Sequence, residues 1–248
     1  MPNWSDLSRD EVADAARSGA VAVLPMGAIE QHGSHLPTGT DTLLATAAVE
    51  AAVARTGNVG LPALAYGCSL GHTAHWPGTL SLSVSTLTAL VLDIGRWVFT
   101  SGFRKMVVIN AHATNGPPTK SALLTLRHEI PSLHTRFASL YDITPQARAG
   151  YFGDADDPHA NAAETSMLLH LDAGLVFLDR AVDEEDRTST RVLTYAMPDV
   201  TRSGVVGYPT TATAESGARL FDAIVDGVAE LLCRAREESE PMPKCDRA

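Results

Sequence analysis

The sequence predicts an α/β fold, a mostly parallel central sheet covered on both faces by helices. Three observations predict it. Short apolar runs, "VAVLP" at 21–25 and "KMVVIN" at 105–110, are continuous rather than alternating, as strands buried on both faces require. Segments with helical apolar spacing lie between them, so strand and helix alternate along the chain. Of the 248 residues, 45% are hydrophobic, enough to shield one large core without a second domain.

The elements follow in order. Residues 9–18 read as a short helix capped by Ser8 or Asp10. "VAVLP" is the first strand. Asp41 opens "DTLLATAAVEAAVAR", an Ala- and Leu-rich helix with an acid at its positive end. "NVGLPALAYG" reads as the second strand, and "SVSTLTALVLDIGRWVFTSG" as a helix ending on Gly102. "KMVVIN" is the clearest strand; the loop "AHATNGPP" and the helix "TKSALLTLRHEI" follow it. "HTRFASLYD" is another strand, and 143–158, "ITPQARAGYFGDADDP", is a long polar loop placed as a lid or rim. "AAETSMLLHLDAG" is a helix with Glu164 in its first turn. A later strand is expected near 191–196, and "ESGARLFDAIVDGVAELLCRAREE" is the closing helix. With no internal repeat and no linker, residues 1–248 are expected to form one domain with a frayed tail over 238–248.

Composition excludes several functions. A net charge of −10 repels phosphate backbones, and no arginine-rich patch offsets it, so nucleic acid is not an expected partner. Cys68, Cys233 and Cys245 are odd in number and form no CxxC, which argues against a disulfide framework or thiolate zinc site and fits a reducing cytoplasm. The acidic N-terminus is not a signal peptide, and no apolar run reaches about 18 residues, so no membrane span is expected.

Ligands of open α/β sheets bind outside the carboxyl ends of the strands. After the first strand come Glu30, His32 and His35, in "AIEQHGSH". Asp41 begins the next helix, His112 follows "KMVVIN", and His159 and Glu164 follow "HTRFASLYD" and its loop. Glu30 and His32 are two apart and project to the same side of an extended segment. "GSHLPTGT" is long enough to bring Asp41 back to them. Such groups are costly to bury unless something pairs with them. Carboxylate with imidazole suits Zn, Mn or Fe(II), and this many ligands fits two divalent ions sharing a carboxylate better than one zinc. Singly, each residue has a plainer reading. Asp41 could cap its helix, Glu164 could be a first-turn acid, and Asn115-Gly116 could be a turn. His35, His72, His75, His128 and His134 read most simply as hydrogen-bonded loop residues. Convergence on one rim carries the argument. Gly67-Cys68-Ser69-Leu70-Gly71 matches the G-x-S-x-G nucleophile elbow, but Pro77 and Gly78 break the segment after it and no helix starts at the serine. Ser69 is expected to line the pocket rather than attack.

"LPMGAIEQHGSHLPTGTDTLLA" resembles the creatininase family signature, a strand leading into E-Q-H-G-x-H-L-P and then G-T-D-T. "GHTAHWPGTLSLS" resembles the family's segment around P-G-T-L-S-L. "VVINAHATNG" is similar to its N-G-H-G-G-N loop, and "HANAAETSMLLHL" to its H-A-G-E-x-E-T-S helix entry. The four matches run in order over residues 21–170. The resemblance implies a three-layer α/β/α sandwich, a two-metal site, a homohexamer, and hydrolysis of non-peptide or cyclic amide C–N bonds in small molecules. It implies Glu30, His32, Asp41, His112 and Glu164 as metal ligands, with Asp41 as the bridge, and His159 as the proton-transfer histidine. Trp76, Ser69 and His35 are placed as substrate-lining residues, and Asn110, Asn115 and His35 as partners fixing the ligand tautomers. The chain departs from the pattern at Ala111, Ala113 and Thr114 in the loop, and at Ala162, where H-A-G-E has its acid. No tryptophan between 130 and 170 matches those that close over creatinine, so a substrate other than creatinine is expected. Peptide trimming, deformylation or keto-inositol ring opening would keep the same site, and a catalytically weakened metal-binding subunit is the rival class.

Overall fold

The structure, a computed structural model, describes residues 3–72 and 75–242. Four parallel strands, β1 (Ala22–Met26), β2 (Val59–Gly60), β3 (Lys105–Asn110) and β4 (His134–Ser139), lie in the order β2-β1-β3-β4. Helices α1 (Arg9–Arg17), α2 (Thr40–Thr56), α3 (Val84–Thr100), α4 (Gly116–Glu129), α5 (Pro145–Tyr151), α6 (Ala162–Asp172), α7 (Met197–Val200) and α8 (Ala214–Glu237) pack around them. Alternate strand residues enter different cores. Val23, Val107 and Ile109 meet Leu44 of α2, Met167 of α6 and Ile224 of α8. Leu24, Met26, Met106 and Val108 meet Val91 of α3 and Leu126 of α4. Two covered faces are the reason these strands read as unbroken apolar runs.

Local chemistry explains where the elements begin and end. Ser8 caps α1 in a reciprocal pair with Glu11. The expected strand at 58–67 shortens to Val59–Gly60, and beyond it an isolated bridge joins Leu64 to Met26. Pro62 in that stretch has no N–H to give a ladder. Helix α4 starts at Gly116, earlier than its apolar spacing suggests, because Pro117 and Pro118 fall in the first turn, where no N–H is needed. The segment 143–158 is not loop throughout. Thr144 caps α5, Pro145 opens it, and Ala147 and Tyr151 are buried. The strand expected near 191–196 is absent. That stretch is irregular, with Val192 97% exposed, because no neighbouring strand takes up its backbone groups. Extended pairing instead joins His159 to Val206 and Glu184 to Gly207. Helix α8 ends at Glu237, and residues 243–248 of the expected frayed tail lie outside the described residues. No helix among the described residues is long and apolar enough to cross a membrane.

Strand order places the functional rim. From β1 the sheet grows one way to β2 and the other way to β3 and β4, so the crevice lies beyond the carboxyl ends of β1 and β3. Met26 pairs with Asn110 at those ends, and Ala111 N donates to Met26 O at 2.9 Å. The segment 27–35 and His112 therefore leave the sheet side by side.

Candidate metal centre

The chain turns sharply after β1. A Cβ on Gly27 would stand 2.3 Å from Thr42 N, so only glycine lets the segment pass α2 this closely. Glu30 N donates to Thr38 O (2.8 Å) and Thr42 Oγ1 to Ala28 O (3.1 Å), folding 27–42 back on itself. This returns Asp41 to Glu30. Asp41 is not a cap: α2 begins at Thr40 after Gly39, and the Asp41 carboxylate turns toward His32 and His112. The loop after β3 is held by Asn110 Nδ2 donating to His112 O (2.7 Å) and Asn115 Nδ2 donating to Gly27 O (2.9 Å). Both asparagines thus fix backbone rather than imidazole tautomers. From α6, Glu164 Oε2 accepts from Ala160 N (2.7 Å), and Ala160 takes φ +51°, a left-handed conformation.

Glu30, His32, Asp41, His112, Glu164 and His159 converge, none more than 8% exposed. Their hydrogen bonds settle the tautomers. His32 Nδ1 donates to Glu30 O (3.0 Å), leaving Nε2 3.3 Å from Asp41 Oδ1 and 4.0 Å from Glu164 Oε2. His112 Nε2 donates to Cys68 O (3.1 Å), leaving Nδ1 3.2 Å from Asp41 Oδ2. His159 Nε2 donates to Gln31 O (2.8 Å), leaving Nδ1 3.5 Å from Glu30 Oε1. Each ring spends one N–H on a backbone carbonyl and turns its other nitrogen to a carboxylate oxygen. A nitrogen lone pair facing a carboxylate oxygen is repulsive unless a proton or cation lies between them. Glu30 Oε2, His32 Nε2 and Asp41 Oδ2 are buried with no hydrogen-bond partner. Among the described residues, three overlapping sets place ligand atoms within 4.8 Å of one another: Glu30, His32 and Asp41; His32, His159 and Glu164; and Glu30, His72 and His159.

The electrostatics agree. Burial opposes charge on His32, yet Asp41, Glu164 and Glu30 push it up to about 10. Burial likewise opposes charge on His112, while Glu30 and Asp41 bring it up to about 9. Asp41 is also penalised by burial, but His32 and His112 hold it below the usual carboxylate range. Burial raises Glu30, and takes Glu164 up to about 7. Three carboxylates share one dry site and need positive charge, which divalent cations supply in place of protons. His159 goes the other way: burial, with His32 and His72 beside it, drives it well below an ordinary histidine.

The remaining sequence expectations divide. Ser69 is fully buried with Oγ 3.1 Å from His112 Nε2, and a short 3-10 turn at 70–72 follows it rather than the helix of a nucleophile elbow. Thr114 Oγ1 lies 2.7 Å from the same nitrogen. His35 is fully enclosed, with Nε2 3.0 Å from Thr165 Oγ1, bracing its loop on α6. Trp76 is half-buried and packs against His75, with 4.5 Å between ring centroids. His72, expected to be a hydrogen-bonded loop histidine, stands in the cluster, 3.5 Å from Glu30 Oε1. Its one signal was its place at the head of "HTAHWPGTL". Gln31, between two expected ligands, was also passed over.

Comparison with known proteins assigns the family. Residues 5–232 match the family model Creatininase, described as creatinine amidohydrolase. The chain is 34% identical over 239 residues to a mycofactocin precursor peptide peptidase of Mycobacterium tuberculosis (strain CDC 1551 / Oshkosh), covering 89% of this chain and 87% of the relative. It is 33% identical over 248 residues to the creatinine amidohydrolase of Pseudomonas putida, covering 92% and 94%. Among solved structures, a manganese creatininase superposes with a TM-score of 0.84 at 30% identity, covering 95% of this chain and 99% of that one. With the four-stranded parallel sheet, its helical covers and the buried carboxylate–imidazole cluster, these matches place the chain in the creatininase family of hydrolases.

Proposed function

We propose that this protein is a binuclear metal-dependent amidohydrolase acting on a C–N bond of a small molecule. One observation carries the reading: the three histidines His32, His112 and His159 each turn a lone pair onto a carboxylate oxygen, where only a cation or proton makes the contact favourable. Asp41 offers Oδ1 toward His32 and Oδ2 toward His112, so it is the natural bridge. One ion would be held by His112, Glu30 and Asp41, the other by His32, Glu164 and Asp41. The donor set of imidazole and carboxylate suits Zn, Mn or Fe(II). The orphaned Glu30 Oε2, His32 Nε2 and Asp41 Oδ2 are the atoms such ions would satisfy.

When bound, the ions supply a water of lowered pKa and polarise the amide carbonyl. His159 handles the proton. Its Nε2–H is committed to Gln31 O, so Nδ1, beside Glu30, is the nitrogen that takes a proton from the nucleophile and gives it to the leaving nitrogen. Burial keeps the ring neutral, with Nδ1 unprotonated before turnover. Ser69 and Thr114 crowd His112 Nε2 and hold the ring in place. The assembly is a homohexamer in the cytoplasm, in keeping with the family resemblance.

The test is elemental analysis of gently purified protein and of a His32→Ala form, followed by turnover of creatinine, a ribosomally made peptide and cyclic amides. About two ions per chain are expected in the parent, fewer in the variant, and turnover of at least one amide. A parent with no bound metal, and none taken up from Zn or Mn, would refute the mechanism. Full metal with no turnover across the panel would favour a non-catalytic subunit.

A further inference from the structure

The two edges of the sheet are finished differently. Strand β2 is two residues long, and an isolated bridge from Asn3 to Gly60 takes its outer side. Strand β4 runs for six residues in unbroken register with β3, and neither proline, lysine nor bulge interrupts it. His134 N donates to Arg104 O (2.9 Å). Alternation then turns the backbone groups of His134, Arg136 and Ala138 to β3, and those of Thr135, Phe137 and Ser139 outward. Among the described residues, no hydrogen bond takes up the outward N–H of Thr135, Phe137 or Ser139, or the carbonyl of Thr135 or Phe137. An open edge of this length is a template for another strand.

The same edge is the floor of a groove. Two cavities of about 720 and 560 Å³ lie along it, and both are lined by Arg136, Leu231 and Arg234. Pro117 and Lys120 of α4 form one wall, and Leu231 and Arg234 of α8 the other. Leu124, 58% exposed, continues the α4 wall one turn beyond Lys120.

We propose that this edge pairs with β4 of a second copy of the chain, antiparallel about a two-fold axis at Phe137, joining two four-stranded sheets into one. A two-fold contact must be complementary to itself, and this strand is. With Phe137 opposite Phe137 of the second copy, Thr135 meets Ser139 and Arg136 meets Ala138. Aromatic and hydroxyl pairs are favourable cross-strand neighbours, the alanine leaves room for the arginine, and no like charges stand opposite. In this register the residues with outward backbone groups are the ones that face each other as hydrogen-bonded pairs. The proposal gives a surface to the self-assembly read above from the family resemblance, and it is independent of the amide chemistry.

The test uses the full chain with Cys233→Ser and Cys245→Ser, Cys68 being buried. In the paired register the two Arg136 Cα atoms stand about 8 Å apart and the two His134 Cα atoms about 21 Å apart. Arg136→Cys treated with a short bis-maleimide should therefore give a covalent dimer, and His134→Cys, at a position that is also exposed, should not. Thr135→Pro removes one outward N–H and leaves the ladder to β3 intact. Its circular dichroism should match the parent, and its mass in sedimentation should fall to half. If that variant fails to fold, crosslinking decides alone. No crosslink at 136, equal crosslinking at 134, or parental mass in a folded Thr135→Pro would overturn the pairing and leave a hexamer built through other surfaces. A dimeric parent crosslinked at 136 would support the pairing and refute the hexamer. A monomeric parent would overturn both, and would leave the edge to an extended segment of another protein.

Discussion

Two buried carboxylate clusters in this molecule are satisfied in opposite ways. Glu184, 9% exposed, accepts from five protein donors: Arg187 Nη1, Arg202 N, Ser203 N, Ser203 Oγ and Thr201 Oγ1, all between 2.6 and 3.0 Å. Those bonds hold its carboxyl down to about 2 although burial pushes the other way. Asp41, 2% exposed, keeps Oδ2 without a donor and faces the bare His112 Nδ1, and Glu30, 1% exposed, turns Oε1 to the bare His159 Nδ1. A carboxylate enclosed by donors is a fastener. One enclosed by lone pairs is a site still needing a cation. The fastener also serves the site, because Glu184 pins 201–203, and the same segment continues through Gly204, which holds Gln31, to Val206, which pairs with His159.

Substitutions should separate the two clusters, beginning with the largest effect. Asp41→Asn removes the bridge; metal content should fall and turnover should drop by more than about 10³-fold, read by elemental analysis and steady-state kinetics. If both ions remain, Asp41 is no bridge. His159→Ala should cost about 10²- to 10⁴-fold in kcat while the ions stay bound, as the proposed role of moving a proton rather than holding metal requires. Unchanged kcat would remove the acid–base assignment.

Glu184→Gln should act on stability alone. Weakening a buried acceptor of five donors should cost roughly 2–4 kcal/mol in denaturant unfolding, with metal per chain unchanged. Metal loss in this variant would erase the contrast between the clusters. The same carboxylate sets an acid limit. Its pKa is lower folded, about 2, than its ordinary 4.5, so its contribution is complete above pH 4.5 and fades as pH falls toward 2. Glu184→Gln should flatten that part of a stability–pH curve, and an unaltered acid profile would count against the fastener role. The smallest effect is expected of Ser203→Ala, about 1 kcal/mol for one hydroxyl bond to the carboxylate.

Much of this was legible along the chain. The apolar runs at 21–25 and 105–110 could only be strands covered on both sides, and Pro and Gly marked their ends. Glu30, His32, Asp41, His112, His159 and Glu164 were visible because each follows a strand or opens a helix on one rim. His72 was not visible. It lies in a 3-10 turn without apolar period, and its partner Glu30 is 42 positions away. Gln31 reads as filler between two ligands until Gly204, 173 residues on, shows what its amide meets. The strand expected near 191–196 is missing because a strand exists only where a neighbour takes its hydrogen bonds.

The sequence by itself determined the layers, the rim and the donor types gathered there, because periodicity and turn residues act over a few positions and are written locally. Tertiary structure alone decided which nitrogen of each histidine faces inward, which carboxylate oxygen it meets, and that Glu184 is closed while Glu30 is open. Those are set by backbone carbonyls and side chains brought together from distant segments, and a tautomer depends on the groups that meet in space.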